Sequence, residues 1–396
     1  MRILVLSFYY EPDLCAGSFR ATALIQALQS RLPAGSHIDV VTTMPNRYSS
    51  FSVQAPEVEA HDGLSIRRIP LPSHNSGMRD QSRAFLSYAR GVLAHVRGGQ
   101  YDLVFATSSR LMTAVLGARV ARRLGAPLYL DIRDIFVDSI EAILPRWLAL
   151  PLGRVFSGLE RHAIGSASRV NLVSRGFEPY FSRRYPRQHF SYFPNGIDAE
   201  FIGCAPEGLP AKAATAPYSV LYAGNLGEGQ GLHAILPALA RAMRGQVNFT
   251  VIGDGGRKQQ LRQALDQAGV DNVTLRDPVN RSELVRAYQD ADVLILHLND
   301  DDAFRKVLPS KLFEYAATGK PIWAGVAGHA AEFIAQEVDN TAVFAPCDAA
   351  AAVRAFSGLR LESTPRPDFV GKYARASIMQ SLAADIISTA EGPVRA

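Results

Sequence analysis

The chain of 396 residues is 47% hydrophobic and 20% charged, the composition of a soluble globular protein too long for one ordinary core, so two domains are expected. Its three cysteines, Cys15, Cys204 and Cys347, stand far apart without paired spacing, which argues against a disulfide framework or a zinc site and fits the reducing cytoplasm. The formal charge of +5 is unevenly spread: Met1 to Ile197 carries 23 Arg, no Lys and 14 acidic residues, net +9, and the remainder is net −4. No aromatic-basic recognition segment accompanies the basic half, so no nucleic-acid partner is expected, and an anionic membrane surface or a phosphorylated acceptor fits the charge instead.

"RILVLSFYY" opens the chain and meets Glu11-Pro12 without a small-residue cleavage site, so it reads as a buried strand rather than a signal peptide. No apolar run approaches the ~18 residues of a spanning helix. Strands are expected over Arg2 to Tyr9, Ile38 to Thr43, Tyr101 to Thr107, Pro127 to Asp131 and Arg169 to Val173, with helices such as Phe19 to Leu32 and Leu111 to Leu124 between them. This alternation describes a doubly wound parallel sheet, placed at 1–197. In "EPDLCAGSFRATAL", Gly17 follows the first strand, where it either lets the backbone approach a ligand or only makes a tight turn. Arg20, one turn later, reads as solvated. "LYLDIRDIFVDSI" sets Asp131, Arg133 and Asp134 at a strand end, as catalytic or acceptor-binding groups or as an internal salt-bridge cluster. His162 reads as a surface residue. Two stretches mix basic and apolar residues: Arg79, Arg83, Arg90 and Arg97 among Phe85, Leu86, Leu93 and Val96, and "LPRWLALPLGRVF" around Trp147. They suit a membrane surface, although helices that merely cover a sheet look the same.

"FPNGID" closes the first half, and 198–217, rich in Gly, Pro and Ala, reads as a linker. The strand-helix alternation then restarts over 218–366, with six strand candidates in "YSVLYAGNLG", "VNFTVIGDGG", "NVTLRDPV", "DVLILHLN", "KPIWAGV" and "TAVFAP". The first two run into glycine loops, "YAGNLGEGQGL" and "VIGDGGRKQQL", each nonspecific alone and more telling in succession. In "LNDDDAFRKVLPSKLFEY", Asp300, Asp301 and Asp302 form either a polar loop or a cation site, and Arg305, Lys306 and Lys311 follow with charges able to neutralise phosphate. "LPSKLFEYAATGKPI" reads as a helix ended by Gly319 and Pro321, with Ser310 as an N-terminal cap. Lys311 is the puzzle, because a cation at the positive end of a helix needs an anion beside it, and a phosphate is the usual candidate. A helical tail over 367–396 could cross back to the first domain. Two Rossmann-like domains facing each other across a cleft would suit a nucleotide.

Taken in order, the Gly17 loop, "LDIRD", "FPNGID", "YAGNLG", "VIGDGG" and "LPSKLFEYAATGKPI" resemble the retaining nucleotide-sugar glycosyltransferases of GT-B fold (glycosyl transferases group 1). Within them the nearest branch is that of the N-acetyl-fucosamine and other amino-sugar transferases of O-antigen and capsule assembly. The resemblance implies a UDP-sugar donor, a lipid-linked saccharide acceptor, work at the inner face of the cytoplasmic membrane, and no cofactor or metal. It implies that Glu314 takes the ribose hydroxyls and that Ser310 and Lys311 hold the diphosphate. Gly17, Asn225, Gln230, Gly253, Asp254, Val279, Arg305 and Lys306 would complete the donor site, with Asp131, Arg133, Asp134 and Lys311 in the catalytic role. The chain departs from the pattern where many relatives carry Arg and Lys, at Asn225 and Gln230, and where many carry a second glutamate, at Lys306. With retention, a leaving phosphate oxygen takes the acceptor proton and no protein nucleophile is needed. A UDP-sugar epimerase of the same architecture and a non-catalytic sugar-nucleotide-binding protein are the alternatives.

Overall fold

The computed structural model describes residues 1–45, 55–72, 78–108, 110–135, 146–203 and 217–392, with backbone alone at 78, 79 and 146–151. The chain divides into two units, Met1–Asn195 with Ala376–Ala396, and Gly196–Arg375. The first is built on β1 (Arg2–Ser7), β2 (His37–Thr43), β3 (Val58–His61), β4 (Leu64–Ile69), β5 (Leu103–Ser108), β6 (Leu128–Ile132), β7 (Arg169–Leu172) and β8 (Phe190–Ser191), in the order β3-β4-β2-β1-β5-β6-β7-β8. All neighbours run parallel except β3 and β4. The central strands β5 and β6 are buried at every position, as the continuous apolar runs of a sheet covered on both faces require. β1 ends at Ser7, two residues short of the expected Tyr9. The β3-β4 hairpin escapes a reading based on apolar runs because β3 is mostly exposed and reads "VEAH".

The second unit holds the six expected strands, β9 (Tyr218–Asn225), β10 (Val247–Asp254), β11 (Val273–Arg276), β12 (Val293–His297), β13 (Ile322–Gly325) and β14 (Thr341–Phe344). They are ordered β11-β10-β9-β12-β13-β14 and pair in parallel throughout. The order reverses between β9 and β12, and it is beyond the carboxyl ends of strands at such a reversal that open α/β sheets take their ligands. On one side of the sheet Trp323, fully buried, meets Phe249, Phe344 and Phe356, and its indole N–H donates to the Ala352 carbonyl at 3.0 Å. A buried indole with its one donor satisfied fixes this layer without a polar cost.

The expected linker differs at its start: Ala199–Phe201 forms a 3-10 turn and Phe201 is fully buried, while 204–216 lie outside the described residues. The tail is two helices, Pro367–Tyr373 and Arg375–Glu391, not one. The second is tied down at Asp385, whose carboxylate accepts from the Tyr129 hydroxyl at 2.6 Å and the Ser191 hydroxyl at 2.7 Å. Among the described residues no helix is long and apolar enough to cross a membrane.

Candidate functional site

In the first unit the strand ends carry the expected residues, but Asp131 is not open to a ligand. It is buried on β6, and the Arg20 guanidinium grips it from Nε and Nη2, both at 2.9 Å. Thr107 donates to it at 3.1 Å and Asn171 at 2.7 Å. Burial alone would raise the Asp131 pKa, and the Arg20 charge reverses this, leaving it below the usual carboxylate range. Arg20 is therefore a buried anchor, not the solvated residue expected. Its other N–H groups donate to the Pro194 and Phe193 carbonyls at 2.6 and 2.9 Å, fixing the start of "FPNGID". Gly17 has a packing reason: a Cβ there would stand 2.7 Å from Nη1 of Arg133, which lies against it. Asp134 accepts from the N–H of Ile135 at 2.9 Å, and His162 is exposed as expected. Residues 136–145 of this loop lie outside the described residues.

The second unit gathers more. The ends of β9 and β10 lie side by side, with Gly224 opposite Gly253 and Asn225 opposite Asp254. The Asn225 amide donates to Gln230 Oε1 at 2.9 Å, and the Gly227 N–H donates to the same oxygen at 3.2 Å. Two positions read as missing cations thus form one neutral clasp that shapes the glycine loop. His297, buried at the end of β12, holds that loop from below. Its Nε2 accepts from the Cys347 N–H at 3.0 Å, so the ring proton sits on Nδ1 and donates to the Gln230 carbonyl at 2.7 Å. Burial holds the imidazole down to about 4 and keeps it neutral.

The helix Lys311–Ala317 brings the remaining groups. Ser310 precedes it with helical dihedrals and makes no side-chain cap, contrary to the expectation. The anion that Lys311 needs is Glu314, whose Oε2 accepts from Nζ at 2.9 Å and from the Tyr288 hydroxyl at 3.0 Å. A Cβ on Gly224 would lie 3.6 Å from Lys311 Cε, so the lysine stem crosses the end of β9. Glu314 Oε1 faces Arg281 Nη1 at 3.9 Å, an ion pair too long for a hydrogen bond. Arg281 hydrogen-bonds Asp198 and lies over the Phe201 ring. Burial opposes its charge, but Glu314 and Asp198 outweigh this and raise its pKa. Asp198 also pairs with Arg375.

Arg305 and Lys306 sit on a 3-10 turn, and the Arg305 charge meets Asp300 and Asp302, both at 3.4 Å. Among the described residues no group of three or more His, Cys, Asp and Glu is arranged to hold a metal ion. Val279 lies half-buried just before Asn280, the cap of the helix Arg281–Asp290. The structure thus joins Asn225 to Gln230, Gly224 to Lys311, and Lys311 to Glu314, and pairs Arg305 with the acidic loop instead. Sequence reasoning missed Tyr288, Arg281 and His297. Tyr288 falls on the buried face of its helix and reads as core, and only the fold brings it to Glu314, 26 residues away.

The arrangement offers a carboxylate with one oxygen held and the other opposite Arg281, a lysine beside it, and glycine-lined strand ends. Residues 210–377 match the family described as Glycosyl transferases group 1, and residues 18–196 the Glycosyl transferase 4-like domain. WcaI of Escherichia coli (strain K12), provisionally named a colanic acid biosynthesis glycosyl transferase, is 24% identical over 340 residues, 81% of this chain and 82% of that one. Sucrose-phosphate synthase from Thermosynechococcus elongatus superposes with a TM-score of 0.70 at 15% identity, covering 99% and 96% of the two chains. HepE of Anabaena, solved with UDP-glucose, gives 0.62 at 17% identity over 99% and 97%.

Proposed function

From a chain that belongs to the glycosyl transferases of group 1, with a glycosyl transferase 4-like domain ahead of the group 1 domain, we propose a retaining, metal-independent transferase that moves a sugar from UDP to a lipid-linked saccharide. The acceptor would belong to bacterial surface polysaccharide assembly, a reading supported by the likeness to WcaI, and would be met at the inner face of the cytoplasmic membrane. An N-acetylated amino sugar is the donor that the motif resemblance favours. The observation that carries the nucleotide part is Glu314, fixed through Oε2 beside Lys311 and the Gly224 backbone. A carboxylate so placed can accept from the vicinal ribose hydroxyls, and Lys311, with a side chain 25% exposed, can turn to the diphosphate. As the diphosphate leaves, its charge grows, so a cation at this point stabilises the transition state more than the ground state. The helix behind it has only seven residues, and Lys311 adds a full charge to its short dipole.

Calorimetric titration with UDP, together with thermal stabilisation by a panel of UDP-sugars, tests this reading. Glu314→Gln keeps the shape and loses the charge, and UDP affinity should fall more than tenfold, ~1.4 kcal/mol. Lys311→Ala should lower both affinity and turnover. Transfer should also survive a chelator. Unchanged UDP affinity in both variants, or activity lost to chelator and restored by Mg²⁺ or Mn²⁺, would overturn the corresponding part.

A further inference from the structure

Glu314 lies on one short helix, but what aims its carboxylate lies on another, Arg281–Asp290. A carboxylate only accepts, so the Tyr288 hydroxyl donates to Oε2 at 3.0 Å. The phenol oxygen then accepts from Lys311 Nζ at 3.3 Å, and Lys311 also donates to Oε2 at 2.9 Å. The three groups close a triangle in which Oε2 takes both donors. Oε1 is left opposite Arg281 Nη1 at 3.9 Å, close enough for attraction and too far for a hydrogen bond.

Tyr288 is rigid where Lys311 is not. Its ring is 1% exposed and packed against Tyr315 at 5.3 Å and Phe201 at 5.5 Å between centroids. Tyr315 in turn accepts from the Ala223 N–H of β9 at 3.1 Å. Arg281 is fixed on its far side by Asp198 and by the face of Phe201. When a diphosphate draws Lys311 away, Tyr288 still holds Oε2, and Arg281 still faces Oε1.

We propose that Tyr288 and Arg281 are positioning residues that present Oε1 of Glu314 to a vicinal diol, and that they thereby set the preference of this site for a ribonucleotide over a deoxyribonucleotide. This rests on the nucleotide-site reading of Glu314 above. The diol never touches Tyr288, so the effect is one of aim: a carboxylate free to rotate spreads its acceptor atoms over several directions and loses the geometry that two adjacent hydroxyls demand.

The experiment measures the dissociation constants of UDP and 2′-deoxy-UDP for the full chain and for Tyr288→Phe, Arg281→Gln and Glu314→Gln. The wild type should prefer UDP at least tenfold. Tyr288→Phe keeps the buried ring and should bring the ratio below about threefold, mainly by weakening UDP, while 2′-deoxy-UDP, held by phosphate and base, changes little. Arg281→Gln should reduce the ratio in the same direction and serves alone if Tyr288→Phe does not fold. A merely structural role would weaken both ligands together and leave the ratio intact, which would overturn the positioning role while Glu314→Gln still abolished the preference. A wild type that fails to distinguish the two nucleotides, with Glu314→Gln equally indifferent, would remove the nucleotide-site reading and this inference with it.

Discussion

Asp131 shows how a residue can be found in the sequence, and a salt bridge weighed for it, while its partner stays hidden. "LDIRD" marks a strand end, but the partner that decides its state, Arg20, stands 111 positions earlier, and no local pattern joins them. Their side chains are 1% and 2% exposed. Removing one charge strands the other, so Asp131→Asn should cost about 3–5 kcal/mol in urea unfolding. A carboxylate whose folded pKa lies below its unfolded value of about 3.9 adds stability that is complete above that value and is lost as pH falls through the folded one. The wild-type melting temperature should therefore drop on acidification below about pH 4, and the drop should be shallower in Asp131→Asn. Identical acid limbs would show that Arg20 does not depend on the Asp131 charge. The sequence could mark Glu314 by its local motif; Tyr288 and Arg281 it could not, because only the fold brings them beside that carboxylate.

The strands of the second unit were all legible as apolar runs, and so was the helix Lys311–Ala317 with its stop at Gly319, where φ is +71°. What the sequence did not disclose is which neighbour each glycine admits. Gly253 reads as a place for a ligand to approach, yet a Cβ there would fall 1.9 Å from the carbonyl oxygen of Gly224 on the adjacent strand. The close approach is between β10 and β9 themselves, at the edge that also carries Asn225 and Asp254. Gly253→Ala must push this edge apart and should cost about 3 kcal/mol, the upper end for overpacking. Weakened UDP binding should accompany the lost stability, since the Lys311 stem crosses the same edge. An alanine variant of wild-type midpoint would mean that the strand ends yield freely.

At the scale of the molecule, the length and the two alternating runs of strand and helix announced two units. The β3-β4 hairpin and the short β8 stayed hidden because exposed or very short strands carry little apolar signal. The helix Met78–His95 presents Arg83 and Arg90 outward, with Leu86 49% exposed, whereas Arg79 and Trp147 have no described side chain. Vesicles rich in anionic lipid should retain the protein better than neutral ones at low salt and release it at high salt, each basic residue at the surface adding about 1 kcal/mol. Equal retention by both would leave the basic half without a membrane role.

The attachment of Asp385 to Tyr129 and Ser191 has a consequence for biosynthesis. A ribosome finishes the first 195 residues long before it reaches position 385, so throughout that interval the Tyr129 and Ser191 hydroxyls, half-buried or deeper, lack the carboxylate that receives them. The nascent first unit must wait, incomplete, while the second, contiguous in the chain, can fold ahead of it, reversing the usual order in which the earlier-made domain folds first. A chain stopped after Arg375 should thus keep its second unit folded while the first unit loses protection against proteolysis, and supplying 376–396 as a separate peptide should restore part of it. Equal protease resistance in the stopped and full chains would show that the first unit closes without its last helix.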